Sequence, residues 1–182
     1  VDVCRKFTKL KCRLMPYLYG KAVEAHEHGV PMMRPMMLEF PDDPACDMLD
    51  RQYMLGDSLL VAPIFRKDGE VQYYLPDGTW TSLLDGGKVG HWQTEIHDFM
   101  SLPLMVRPGT VLPLGAHDDR PDYDYLDGVE LHVYQLADGE SETVEIPDTK
   151  GNVAATFTVT MKDGQAQVET DSTKPYTVVV HQ

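Results

Sequence analysis

Cysteine is scarce in this sequence, with three in 182 residues, an odd number that cannot pair completely. Cys4 and Cys12 lie eight residues apart on what reads as one helical stretch, ~12 Å along its axis, which is beyond the reach of a disulfide. A disulfide-stapled scaffold is therefore excluded, and three free thiols suit a reducing, cytoplasmic compartment. Positive charge is also short: sixteen Lys and Arg against twenty-nine Asp and Glu leave a net charge of −13. No segment concentrates enough basic side chains to track phosphates, so nucleic acid is not expected as a partner. Long apolar runs are missing, and stretches such as Leu59–Ile64 fall far below the ~18–20 residues of a membrane span, so no membrane association is expected. The chain has no glycine-rich phosphate loop, nucleophile elbow, CxxC or HExxH motif. At the front, Val1 does not open a charged segment followed by an apolar signal core, and the first residues read as helix interior. The chain is thus expected to be a piece of a longer protein or to lack its N-terminus.

What is present is an ordinary globular balance, with 42% hydrophobic and 25% charged residues. Val3, Phe7, Leu10, Leu14, Leu18, Ala22 and Ala25 recur every three or four positions, which predicts an amphipathic helix from Asp2 to about His28, ended by Gly29. Pro16 removes a backbone donor inside it, so a bend near Cys12–Pro16 or two abutting helices are expected. Met32–Phe40 reads as a short buried strand interrupted by Arg34 and Pro35. Asp43 ahead of Pro44 is an N-cap that opens a short helix through about Leu49.

From Leu55 onward the pattern is β. Runs at Ser58–Phe65, Val71–Leu75, Trp80–Leu84, Glu95–Met100, Leu104–Arg107 and Val111–Leu114 are separated by Gly-, Pro- and Asp-rich turns, the signature of a sandwich. After the acidic linker His117–Asp127 a second series follows: Val129–Gln135, Ser141–Ile146, Val153–Met161, Gln165–Thr170 and Tyr176–Val180. Asp138-Gly139 and Asp163-Gly164 are hairpin signals. The order is an α/β remnant, a proximal β module and a distal β module.

Carboxylates are plentiful, and acid/base or glycosidic chemistry needs two of them in contrasting environments. Glu39, Asp42, Asp43, Asp57, Asp98 and the run Asp118, Asp119, Asp122 and Asp124 are the candidates. The acidic run reads as a solvated loop, since nothing near it would desolvate one carboxyl selectively. Asp42 and Asp43 read as turn and cap residues, and Glu39 as a structural carboxylate at the end of an apolar segment. Arg34, alone among Met32, Met33, Met36 and Met37, needs a carboxylate or carbonyl partner; a structural ion pair or a substrate contact would meet that need. The methionines read as core filling rather than a soft-metal site. His26 and His28 point to different faces of a helix, and His91 with His97 lacks further ligands, so neither a metal nor a cofactor is expected. Tyr73, Tyr74, Trp80 and Trp92 are core residues by their strand positions, with a sugar-stacking platform as the functional alternative. No catalytic set assembles from these residues.

Several ordered motifs nevertheless share one resemblance. Arg13-Leu14-Met15-Pro16-Tyr17-Leu18-Tyr19, Met33-Arg34-Pro35-Met36, Glu39-Phe40-Pro41-Asp42-Asp43 and the stretch Asp50–Pro63 resemble glycoside hydrolase family 31, most of all its bacterial α-xylosidases. The likeness continues through Trp80, Leu102-Pro103, Arg107 and Arg120-Pro121-Asp122-Tyr123. It implies an α+β fragment, mainly β: the last helix–strand–helix of a (β/α)8 barrel in residues 1–55, followed by two C-terminal antiparallel β-sandwich domains, proximal in 56–115 and distal in 116–182. It also implies a retaining mechanism on α-xylosides or α-glucosides by two aspartates of earlier barrel strands, neither of them in this chain. The partner is then the upstream part of the same polypeptide, with homo-oligomer formation open. Arg34 and Glu39 become groups that support the site from behind. The rival reading is a stand-alone β-sandwich module that binds carbohydrate or another protein.

Overall fold

Pro16 decides how the helical stretch is built. In the computed structural model, which describes residues 1–87 and 90–181, the stretch forms two abutting helices, α1 (Asp2–Arg13) and α2 (Met15–His28). Proline has no amide hydrogen to give the carbonyl four residues back, which is that of Cys12. The Tyr123 hydroxyl donates to that carbonyl at 2.7 Å, and the Gly115 amide donates to the Arg13 carbonyl at 2.7 Å. Gly115 is required for this approach, because a Cβ there would lie 1.8 Å from the Tyr123 hydroxyl oxygen. At the other end Gly29 adopts the left-handed conformation (φ 71°) and closes α2 onto the Ala25 carbonyl.

The chain divides into two units, one formed by Pro31–Pro108 and the other by Val1–Val30 with the chain from Gly109 onward. The first begins with β1 (Met33–Arg34) and a single helical turn, α3 (Met36–Glu39), followed by a 3-10 turn at Pro44–Cys46. The expected strand across Met32–Phe40 is therefore only two residues long. Pro35 cannot donate to a ladder, and beyond it the Phe40 amide closes onto the Met36 carbonyl at 2.9 Å. Only Met36 of the local methionines enters the core, whereas Met33 and Met37 are exposed, contrary to their expected core role. Asp43 does cap the next turn, accepting from the Ala45 amide at 3.0 Å, but that turn ends at Cys46 rather than Leu49.

Then come β2 (Tyr53–Leu55), β3 (Leu59–Val61), β4 (Glu70–Leu75), β5 (Thr81–Ser82), β6 (Gly86–Gly87), β7 (His91–Ile96) and β8 (Leu104–Val106). Among the described residues a six-stranded sheet runs β1-β2-β3-β8-β5-β6, and β4 pairs with β7. β7 occupies residues earlier than the expected Glu95–Met100, because Trp92 sits opposite Tyr74 and Ile96 opposite Glu70. Beyond it the Asp98 carboxylate accepts from the Met100 amide at 2.8 Å, a side-chain turn that ends the strand. Met36, Met54, Leu60, Tyr73, Leu75, Trp80 and Met105 form the buried core of this unit.

The second unit carries β9 (Thr110–Leu114), β10 (Val129–Tyr134), β11 (Ser141–Pro147), β12 (Val153–Lys162), β13 (Gln165–Thr170) and β14 (Tyr176–His181) in two sheets, β14-β10-β9 and β11-β12-β13. β9, read from the sequence as the last strand of the module 56–115, pairs antiparallel with β10 of the following one. Asp163-Gly164 closes a two-residue hairpin, both residues at positive φ (52° and 74°). Asp138-Gly139 does not make a hairpin. It carries the chain from β10 to β11, which lie in different sheets, and the Gly139 amide donates to the Met161 carbonyl instead. The purely antiparallel expectation also fails at β14, which runs parallel to β10 along six register pairs from Val129↔Tyr176 to Tyr134↔His181. Val129, Leu131 and Val133 on one face of β10 pack with Ile146, Phe157 and Val159 into one core.

The other face of β10 is polar and holds β14 in register. Arg13 donates to Glu130 at 2.6 Å, Glu130 lies 3.0 Å from His132 Nε2, and His132 Nδ1 lies 2.9 Å from His181 Nε2. The His181 ring stacks on Tyr134 with centroids 4.3 Å apart. Burial, then the neighbouring His132, pushes the His181 pKa below its ordinary value of 6.5. Burial alone would raise the Glu130 carboxyl, but hydrogen bonds from His132 and Arg13 outweigh it and hold the pKa below the usual range. Both folded-state values are depressed, so both groups contribute stability at neutral pH that is lost as pH falls through the folded values. Urea unfolding of the chain at about pH 7.5 and about pH 5 is expected to show a loss of stability on acidification that shrinks in His181→Asn; an equal loss in both proteins removes His181 from the account.

Candidate functional site

Arg34 stands on β1 among apolar neighbours and is only 4% exposed, so its charge needs protein partners. Its Nε donates to the Pro31 carbonyl at 2.8 Å and one terminal nitrogen donates to Glu39 Oε1 at 2.7 Å. The single turn of α3 makes this possible by turning the chain back within five residues. The second oxygen, Glu39 Oε2, accepts from Arg107 at 3.1 Å, and the same Arg107 nitrogen donates to the Asp57 carbonyl at 3.2 Å. Arg107 also lies over the Phe40 ring, 4.6 Å from its centroid, while its backbone amide bonds to Ser58. One carboxylate thus ties β1 and α3 to the end of β8. Engaged at both oxygens, Glu39 is a fixed brace rather than a group poised to transfer a proton.

Arg34 and Glu39, the two residues proposed from the sequence, are brought together directly. Arg107 completes the cluster; the sequence marks it as the end of a strand and as part of the family likeness, not as a site residue. The available signal was an arginine closing the apolar segment Leu104–Val106, whose charge has to leave that segment toward an anion.

The remaining carboxylates are held separately. Asp43 takes the Tyr74 hydroxyl at 2.9 Å besides capping its turn, and Asp57 accepts from the Ser58 hydroxyl at 2.7 Å. Asp118 pairs with Lys9 at 2.8 Å, Asp124 pairs with Lys174, and Asp122 with Arg120, on exposed surface. The hydrogen bond from Lys9 lowers the Asp118 pKa. His97 lies between Ser101 Oγ and Glu95 Oε2, 2.9 Å from each. Among the described residues no group of three or more His, Cys, Asp or Glu could hold a metal ion, and no described helix is long and apolar enough to cross a membrane. Of the four aromatics weighed as a stacking platform, Tyr73, Tyr74 and Trp80 are buried and Trp92 is 54% exposed.

Comparison with known proteins gives this architecture its class. Residues 29–112 match the glycosyl hydrolase family 31 C-terminal domain, and residues 124–182 match the C-terminal domain of alpha-xylosidase YicI. An alpha-xylosidase of Emericella nidulans is 41% identical over 92% of this chain and 23% of its own length. The alpha-xylosidase XylQ of Lactiplantibacillus pentosus is 38% identical over 100% of this chain and 24% of its own. A solved Flavobacterium johnsoniae GH31 dextranase complexed with glucose shares the fold at TM-score 0.82 and 23% identity, covering 100% of this chain and 25% of that one. These define a C-terminal region of a glycoside hydrolase, mainly β, with few helices and several sheets. The chain belongs to glycoside hydrolase family 31 and spans about a quarter of the length of the curated relatives it matches.

The brace has a direct energetic consequence. Glu39→Ala takes a carboxylate at 2.7 Å away from the buried Arg34 guanidinium and is expected to cost about 3 kcal/mol in denaturant unfolding. Arg107→Ala removes a partner that is 35% exposed and is expected to cost under about 1 kcal/mol. Equal costs for the two would show that burial of Arg34 is not what makes Glu39 matter.

Proposed function

We propose that this chain is the C-terminal part of a retaining α-glycosidase, an α-xylosidase, whose two catalytic aspartates lie in the part of the polypeptide upstream. On this reading residues 1–55 end the (β/α)8 barrel, 56–115 and 116–182 follow as proximal and distal β domains, and the chain supports catalysis without performing it. The observation that carries the proposal is identity of 41% and 38% to two α-xylosidases over nearly the whole chain. Exposure supports it as well: Met33, Met37 and Leu38 are exposed around the Arg34–Glu39 brace, and Val3, Phe7 and Leu10 of α1 are only half-buried. Apolar side chains so placed suit a segment that packs against more protein. The substrate is an α-xyloside or α-glucoside, and Arg34 and Glu39 act by holding the end of the barrel in shape, so that the aspartates keep the ~5–5.5 Å spacing of a retaining enzyme. Three free thiols, two of them buried, favour the cytoplasm as location.

The full-length polypeptide is expected to hydrolyse an aryl α-xyloside with retention of anomeric configuration, observed by NMR of the first-formed sugar, while residues 1–182 alone release none. Cleavage by the chain alone, abolished by replacing one of its own acidic residues, overturns the proposal. In the full-length enzyme Glu39→Gln is expected to lower kcat/KM about tenfold, and an unchanged value removes the supporting role of Glu39 while leaving the rest intact.

A further inference from the structure

Within the unit Pro31–Pro108, Gln72 of β4 and Trp92, Thr94 and Ile96 of β7 are exposed, and beside them opens a cleft of about 370 Å³. Three large apolar side chains line it in the open: Trp92 at 54%, Phe65 at 73% and Met48 at 88% exposure. Trp92 stands directly opposite Tyr74 in the β4–β7 register. Its ring packs on Tyr74 with centroids 5.5 Å apart. The Tyr74 hydroxyl donates to Asp43 at 2.9 Å, and its backbone amide and carbonyl are both bonded to the buried Gln52 side chain. An aromatic ring, half exposed, is therefore offered to solvent beside a hydrogen-bonded support. The charged groups of the lining are Asp50 and Glu70 against Arg51 and Arg66, which balance. Arg66 is already committed, at 2.5 Å to Asp68 and 2.7 Å to Glu70.

We propose that this cleft is a surface binding site for a neutral oligosaccharide, with the apolar face of a sugar ring on Trp92 and its hydroxyls toward the paired polar groups at the rim. A balanced rim has no excess charge for a phosphate or an acidic polymer, while hydroxyls can both donate to carboxylates and accept from guanidinium groups. Aromatic rings flanked by such pairs match the alternation of apolar faces and polar edges that sugars present. The site stands on geometry within this unit, and it rests on the glycosidase reading only for the choice of saccharides to test.

The test is affinity electrophoresis of the full-length enzyme in gels containing soluble dextran or xyloglucan. The unaltered enzyme is expected to be retarded by at least one of the two. Trp92→Ala is expected to weaken the apparent affinity about tenfold, and Trp92→Phe to keep most of it. Aryl α-xyloside hydrolysis is expected to be unchanged in both variants. Absence of retardation by either polysaccharide overturns the site, as does equal retardation of Trp92→Ala. So does a change in sedimenting mass in Trp92→Ala with retardation unaltered, which would identify a second copy of the chain as the occupant. Should Trp92→Ala fail to fold, Phe65→Ala, an alteration of an exposed side chain, is judged by the same criterion. An unaltered enzyme that is retarded but hydrolyses no aryl α-glycoside would sink the earlier proposal and leave this one standing.

Discussion

The carboxylate of Glu39 is the constraint on which the unit Pro31–Pro108 depends. A guanidinium as buried as that of Arg34 is costly unless an anion meets it with good geometry, and Glu39 does so at 2.7 Å. The same carboxylate reaches Arg107, so one side chain couples a two-residue strand, a single helical turn and the end of a strand 68 residues away in sequence. None of these elements is long enough to be stable alone, as one turn of helix and two residues of ladder satisfy few backbone groups. The ionic brace and the buried Met36 beside it hold them in place.

In the other unit the organising problem is backbone bonding. Pro16 takes a donor out of a helical stretch, and the molecule answers with the Tyr123 hydroxyl, brought close because Gly115 has no side chain to obstruct it. The parallel strand β14 is a second departure from the simplest β pattern. A parallel neighbour cannot be joined by a tight turn, so β11, β12 and β13 intervene between β10 and β14 as a separate sheet. The polar row Glu130, His132 and His181 then specifies the register on the outer face while valine and leucine fill the inner one.

Membership of family 31 and the braced geometry point in the same direction. Every candidate carboxylate given a partner above is held by a hydrogen bond or ion pair, which is the arrangement the proposed supporting role draws on. The exposed methionines around Arg34 and the exposed Trp92 are different kinds of surface. The former are mobile, adaptable side chains suited to being covered by protein. The latter is an indole packed against Tyr74, whose hydroxyl and backbone are hydrogen-bonded, beside a cleft of small-ligand size.

Much of the architecture was legible in the linear chain. Period-3.6 spacing marked both helices, Gly29 marked their end, and the strands from Val129 to His181 were located within a residue or so, because alternation and turn residues are local signals. Arg34 and Glu39 were also readable, since a lone charge in an apolar run demands a partner nearby. The structure had to supply what depends on distant pairing. Strand β7 shifted toward Trp92 because its register is set by β4, β9 joined β10 across an expected boundary, and Asp138-Gly139 turned the chain between sheets instead of closing a hairpin. The identity of Arg107 as the third member of the brace belongs here too. Local propensity and hydrophobic period are written into neighbouring residues, whereas register, sheet partner and the meeting of charges far apart in sequence arise only when backbone hydrogen bonds and burial are satisfied together in three dimensions.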